Sequence, residues 1–188
     1  MILLTVLSAS ALQLGDAAPP IAADTWLQGA PSSTAGKVVV VEFFATWCGP
    51  CFKAIPHLNT LQADNPNDLL VIGVAADQEE PDELLRRFMY VTDMSYAAIT
   101  DDHGQTYASY MKGMDVSGIP AAFLIDRSGR LTWQGHPDLL DGPLSEALAS
   151  PPPEVHAPVP LLAVEPPPAS RTVGAVERLR LWVLSLLH

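Results

Sequence analysis

Residues 37–51 of the 188-residue chain read Lys-Val-Val-Val-Val-Glu-Phe-Phe-Ala-Thr-Trp-Cys-Gly-Pro-Cys, an apolar strand pattern that runs directly into two cysteines. The run at 37–44 is continuous in β-branched and aromatic residues and lacks the polar alternation of a strand with one wet face. It is expected in the middle of a sheet, covered on both sides. A helix is expected over 48–64, because Cys51, Ile55 and Leu58 recur at intervals of four and three on one stripe. Pro56 falls inside it and predicts a kink. The two cysteines therefore sit where a buried strand gives way to a helix.

Outward from this point the pattern repeats. Residues 69–75 (LLVIGVA) read as a second buried strand. Pro81, Asp82 and Glu83 open a helix expected to turn Leu84, Leu85, Phe88 and Met89 to the core. A weaker strand at 96–100 precedes a helix with Tyr107, Tyr110, Met111 and Met114 on one face, which reads as core. Residues 121–126 and 131–134 read as two antiparallel strands joined by a turn at Gly129, and a closing helix is expected over 137–149 with Leu140, Leu144, Ala147 and Leu148 inward. The expected domain spans 15–150. Eight prolines between 151 and 168 make 151–170 a semi-rigid linker. Residues 171–188 can form an amphipathic helix with Val173, Val176, Trp182, Val183 and Leu187 on its apolar side, and Arg178 and Arg180 would suit contact with a membrane surface.

Composition narrows the function classes. Ten Lys and Arg against 21 Asp and Glu give a net charge of −11, with the basic residues scattered, so nucleic acid is not expected as a partner. Two cysteines cannot build a disulfide framework or a four-cysteine zinc site, and the five histidines show no zinc-finger spacing, so neither a metal nor another cofactor is expected. His57 and His136 have no partner at motif spacing and are read as structural or exposed. The apolar segment 1–14 is too short to span a bilayer and ends in the small residues of a secretory signal, although no Lys or Arg precedes Lys37. A periplasmic or other extracytoplasmic location is expected, with the cytoplasm as the alternative.

Chemistry concentrates at Cys48-Gly49-Pro50-Cys51. Unpaired N–H groups of a first helical turn, together with the helix dipole, stabilise an anion, so Cys48 should ionise more readily than a free cysteine. Two cysteines three apart at a helix start are within disulfide reach. Cys48 can then attack a substrate disulfide, and Cys51, one turn deeper, can resolve the mixed disulfide. Pro50 costs little in the first turn and stiffens the loop, while Gly49 lets a partner approach closely. A zinc site would need two more ligands, and a structural disulfide closing so short a loop contributes little stability. Glu42 stands in a strand otherwise made of Val and Phe. Burying it ionised is costly, so its pKa should rise and it could exchange a proton with Cys51; the alternative is an end-of-strand Glu reaching solvent. Residues 69–76 offer it no Lys or Arg. Trp47 is expected to shape the surface around Cys48.

Residues 43–51 (FFATWCGPC) resemble the active-site signature of the thioredoxin superfamily, and residues 118–126 (GIPAAFLID) resemble its second signature. The segments GDAAPP at 15–20 and WLQG at 26–29 look like the N-terminal extension of TlpA-like and redoxin-type members. The resemblance covers about 15–149. It implies an α/β thioredoxin-like fold with a central mixed β-sheet flanked by helices, a cis peptide at Ile119-Pro120, and thiol–disulfide exchange. The Pro120 loop is implied to face the cysteines, with the Ile119 backbone binding an extended substrate peptide. From the residues alone, an ordinary trans proline opening a strand would fit as well.

The expected activity is thus a protein-disulfide reductase, with disulfide-containing proteins as substrates and a dithiol protein as electron donor. Two alternatives stand beside it. One is a redoxin-type thiol peroxidase, although Ala45 and Val41 occupy positions where such sites usually have Thr or Ser and Pro. The other is a non-catalytic scaffold that binds peptides at Ile119 and Pro120.

Overall fold

The computed structural model of the protein describes residues 11–77, 80–101, 103–151 and 159–163. Within them the strands are β1 (Ile21–Ala23), β2 (Thr25–Gln28), β3 (Val38–Phe44), β4 (Leu69–Ala75), β5 (Ala97–Thr100), β6 (Ala121–Ile125), β7 (Leu131–Gly135) and β8 (Leu161–Ala163). The helices are α1 (Gly49–Asp64), α2 (Asp82–Val91), α3 (Gln105–Tyr107) and α4 (Asp141–Ala149). Residues 1–10 of the segment 1–14 read as a signal, and residues 171–188 read as an amphipathic helix, lie outside the described residues.

Six strands form one sheet in the order β2-β5-β4-β3-β6-β7. β3 pairs parallel to β4 and antiparallel to β6, so it is central, and all seven of its residues are buried. The valine run imposes this placement, because a strand apolar on both faces must be covered on both. Successive residues then feed two cores. Val38, Val40 and Phe44 pack with Cys48, Cys51, Ile55 and Leu58 on one side. Val39, Val41 and Phe43 pack with Ile72, Tyr110 and Phe123 on the other. Aromatic contacts stitch each side. Phe44 stacks on Phe88 at 5.5 Å, which meets Phe52 edge-on at 4.7 Å. Across the sheet, Phe43 meets Tyr107 at 5.9 Å and Phe123 at 5.7 Å.

Several local expectations are revised. Leu84 is 47% exposed while Leu85, Phe88 and Met89 are buried, because at 100° per residue position 84 falls on the flank of the stripe that 85, 88 and 89 share. The helix expected around Tyr107 is a three-residue α3 that widens into a π turn over Ala108–Lys112, with Gly113 N–H donating to the Ala108 carbonyl at 3.1 Å. Tyr110 and Met111 are buried in it as core residues. The closing helix divides into a 3₁₀ turn, Pro137–Leu139, and α4. α1 continues through Pro56 to Asp64.

The stretch read as a linker also contributes to the folded body. β8 pairs parallel with β1, the Ile21 N–H donates to the Pro160 carbonyl at 2.9 Å, and the Thr34 hydroxyl donates to the Val159 carbonyl at 3.0 Å. Val159 is buried against the core that holds Ile21. Proline spacing leaves Val159 and the Leu161–Ala163 triplet free to pair, and the apolar β1 gives them a surface. Deleting residues 151–188 is expected to lower stability by about 2 kcal/mol, the worth of one buried valine side chain, read as a lower urea midpoint than that of the full chain.

Candidate active site

The dithiol is built by the exit of β3. Residues 45–47 turn the chain out of the sheet, and Cys48 becomes the N-cap of α1 with extended backbone, φ −84° and ψ 96°. Cys48 and Cys51 are joined as a disulfide with Cα atoms 5.3 Å apart, within the range the bond requires. The Cys51 N–H donates to Cys48 Sγ at 3.3 Å and to the Cys48 carbonyl at 3.1 Å. Cys51 is fully enclosed and Cys48 is 3% exposed. Gly49 and Pro50 are exposed beside it. A Cβ built on Gly49 would meet nothing within 4 Å, so the approach over the helix start is open.

Topology gathers further segments at this end of the sheet. β4 runs parallel to β3 and ends beside it, with the Ala76 N–H donating to the Phe44 carbonyl at 2.8 Å. The loop that follows supplies Asp77, which accepts from Trp47 Nε1 at 3.1 Å, and Glu80, which accepts from the Thr46 hydroxyl at 3.0 Å. Trp47 is 69% exposed and held in this way as part of the surface. β6 runs antiparallel and begins opposite Phe43, which puts the cis Ile119-Pro120 peptide just before Ala121 at the same end. Ile119 is half-buried and packs on the core that contains both cysteines.

Glu42 lies inside this assembly and not at its rim. Its register partners are Gly73 on β4 and Ala122 on β6, and it is completely buried. The reading in which it reaches solvent is overturned, because β4 and β6 extend past it on both sides. By strand parity it faces the core of Val40, Phe44 and Cys51. Tyr96 Oη donates to Glu42 Oε2 at 3.4 Å, and Oε1 has no hydrogen-bond partner among the described residues. Burial pushes the Glu42 pKa up to about 8, opposed in part by the Tyr96 hydrogen bond.

Sequence reasoning missed Tyr96, Gly73, Asp77 and Glu80. Gly73 carried a signal, as the one residue without a side chain in a seven-residue apolar strand, but its position opposite Glu42 depends on register. His57 Nε2 lies 3.0 Å from Asp141 Oδ1, a contact between α1 and α4. His136 caps the 3₁₀ turn by accepting from the Asp138 N–H.

The fold is thioredoxin-like, with an enclosed cysteine pair at the start of α1. A family profile described as Redoxin matches residues 13–149. The chain belongs to the redoxin family, with the TlpA-like and DsbE-type proteins as its kin. It is 30% identical to FixW of Rhizobium leguminosarum over 139 residues, 68% of this chain and 62% of FixW. Two further curated relatives, thiol-disulfide oxidoreductases ResA of Bacillus thuringiensis and Bacillus cereus, are matched over 53% of their length, so the chain spans between about half and two thirds of these three proteins. Among solved structures, a Chlorobium tepidum chain assigned as the thiol:disulfide interchange protein DsbE is 29% identical, with a TM-score of 0.60 over 73% of this chain and 99% of that one. A secreted disulfide oxidoreductase of Mycobacterium tuberculosis, homologous to DsbE of E. coli, is 25% identical, with a TM-score of 0.54 over 66% of this chain and 94% of that one.

The raised Glu42 pKa has a signed consequence for stability. Between the ordinary value of 4.5 and about 8, the folded protein holds a proton that the unfolded chain has released. Its contribution is complete below the lower value and is lost as pH rises through the upper one. The oxidised protein should lose stability across this window with a slope approaching about 1.4 kcal/mol per pH unit. Glu42→Gln should be flatter by that amount, as denaturant midpoints measured from pH 5 to pH 9 would report.

Proposed function

We propose that the protein is a thiol–disulfide oxidoreductase that reduces disulfides in other proteins through Cys48 and Cys51, and that a dithiol protein returns it to the reduced state. One observation carries the proposal: the two sulfurs are bonded to each other at the N-terminus of α1, beneath the open surface over Gly49. Backbone N–H groups there favour Cys48 as a thiolate. In the reduced protein that thiolate attacks one sulfur of a substrate disulfide. A bond forms between Cys48 and the substrate, and the other substrate sulfur leaves as a thiolate that takes a proton from water.

Cys51 then gives its proton to the Glu42 carboxylate and attacks Cys48 Sγ. The substrate's second sulfur departs, and two electrons have passed to the substrate. The protein is left with the Cys48–Cys51 disulfide and a protonated Glu42, the form favoured at neutral pH by the burial of this carboxyl. Recharging runs the steps backwards. A donor thiolate attacks Cys48 Sγ, Cys51 leaves and recovers the proton from Glu42, and the second donor thiol, losing its proton to water, attacks the donor sulfur bonded to Cys48, which closes the donor's own disulfide and releases Cys48 as a thiolate.

Trp47, Gly49, Pro50, Ile119 and Pro120 form the substrate-facing surface in this reading. The half-buried Ile119 offers its backbone to an extended peptide. Gly-Pro between the cysteines is also the dipeptide of thioredoxin, which lies toward the reducing end of such proteins and supports reduction as the working direction. A location outside the cytoplasm is proposed from the apolar N-terminal segment and from the similarity to a secreted disulfide oxidoreductase.

Reduction of insulin disulfides in the presence of a dithiol tests the activity, and Cys48→Ser should reduce it to the uncatalysed rate. Cys51→Ser should accumulate a covalent adduct on Cys48, visible as a mass increase that a reductant removes. A Cys51→Ser protein that gathers no adduct would refute the exchange mechanism.

A further inference from the structure

Among the described residues, the buried carboxylate invoked in the proton step has no cation to steady it. None of the described Lys, Arg or His side chains forms a hydrogen bond or ion pair with Glu42, and its register partners, Gly73 and Ala122, present no polar side chain. The ionisable groups on its face are Cys48 and Cys51 of α1, which belong to the core that this face of β3 lines, and Tyr96, immediately before β5, which donates to it.

Tyr96 is placed with unusual care for a residue at a strand entrance. It is 2% exposed, and its ring lies over Gly73, where a Cβ would stand 3.2 Å from Tyr96 Cε2 and 3.1 Å from Phe44 Cε1. The missing side chain at 73 thus leaves the passage by which the Tyr96 hydroxyl crosses β4 to reach β3. The backbone behind it is clamped from two directions. Gln28 Nε2 of β2 donates to the Met94 carbonyl at 2.9 Å and to the Tyr96 carbonyl at 2.6 Å. Asn59 Oδ1 accepts from the Ser95 N–H at 2.9 Å, and Asn59 Nδ2 donates to the Asp93 carbonyl at 2.7 Å. Asn59 belongs to α1, two turns after Cys51, so the helix that carries the sulfurs also fixes the segment that carries the hydroxyl.

We propose that Tyr96 is a positioning residue for the proton step: its hydroxyl holds Glu42 Oε2, and Oε1, which has no hydrogen-bond partner among the described residues, is the oxygen that exchanges the proton with Cys51. The inference rests on the proton role proposed for Glu42. A hydrogen bond to a charged acceptor is stronger than one to its neutral form, so the Tyr96 hydroxyl favours the carboxylate over the acid. It offsets part of the burial penalty and lowers the pH at which Glu42 becomes a base. The hydroxyl keeps its own proton throughout; the proton that moves is the one shared by Cys51 Sγ and Glu42 Oε1.

The test is single-turnover oxidation of the reduced full chain by glutathione disulfide, acid-quenched and weighed by mass spectrometry, which separates adduct formation on Cys48 from closure of the Cys48–Cys51 bond. Tyr96→Phe keeps the ring and removes the hydroxyl. It should move the pH midpoint of closure upward by roughly one unit, the worth of one hydrogen bond, and slow closure at pH 7 about tenfold, with adduct formation unchanged. Glu42→Gln should abolish the midpoint, and the double variant should match Glu42→Gln alone. If Glu42→Gln abolishes the midpoint but Tyr96→Phe leaves it in place, or slows closure equally at every pH, Tyr96 only packs and the proposal falls. If Glu42→Gln retains the wild-type midpoint, the proton role itself fails and Tyr96 loses its task. A carbon-13 titration of the Glu42 carboxyl in oxidised Tyr96→Phe gives an independent reading: a midpoint above the wild-type one supports the assignment, and an unchanged midpoint overturns it.

Discussion

Burial of β3 on both faces is the constraint from which the site follows. Neighbouring strands run past Glu42 on each side, and the layers above and below are closed by Val, Ile and aromatic side chains. A carboxyl in that position cannot be solvated, so its charge depends on what the protein itself supplies. The same continuity delivers the chain to the edge of the sheet within four residues of Phe44, where Cys48 caps α1. One apolar strand thus fixes both the thiol pair at its end and the proton-binding group in its middle.

Mixed pairing concentrates the remaining pieces at that edge. β4 is parallel to β3 and finishes there, while β6 is antiparallel and starts there. The loop after β4 braces Thr46 and Trp47 through Glu80 and Asp77, and the loop before β6 contributes the cis Ile119-Pro120 peptide. A fully parallel arrangement would have sent the Pro120 loop to the opposite end. The direction of a single strand therefore determines whether a second loop can border the sulfurs.

What could be read from the sequence was what local pattern encodes. Val38 to Phe44 announced a central strand because no alternation relieves it, and residues 69–75 did the same. The cysteine pair was legible because chemistry and position coincide in four residues. Tyr96 was not legible, since its meaning comes from crossing Gly73 to reach Glu42, and that adjacency exists only once β3, β4 and β5 are in register. β8 was hidden for another reason. Proline-rich composition correctly argues against helix, but it does not forbid a short extended segment from pairing with an apolar strand such as β1. The π turn at Ala108–Lys112 has no compositional mark, because Tyr110 and Met111 suit an α-helix equally well.

A neutral donor beside Glu42 has a different effect from a cation. A lysine in the place of Tyr96 would add a Coulombic attraction strong enough in a dry site to keep the carboxyl ionised in both redox states. Glu42 would then be a poor holder of the Cys51 proton once the disulfide had closed. A phenol hydroxyl supplies one hydrogen bond and no net charge, which leaves the proton affinity of Glu42 near the neutral range. In the proposed mechanism, closing the Cys48–Cys51 bond is then matched by protonation of Glu42, and opening it by release of that proton to the departing sulfur. On that proposal the buried site stays free of uncompensated charge with the disulfide closed, so electron transfer at the surface does not require an ion to be stabilised in the core.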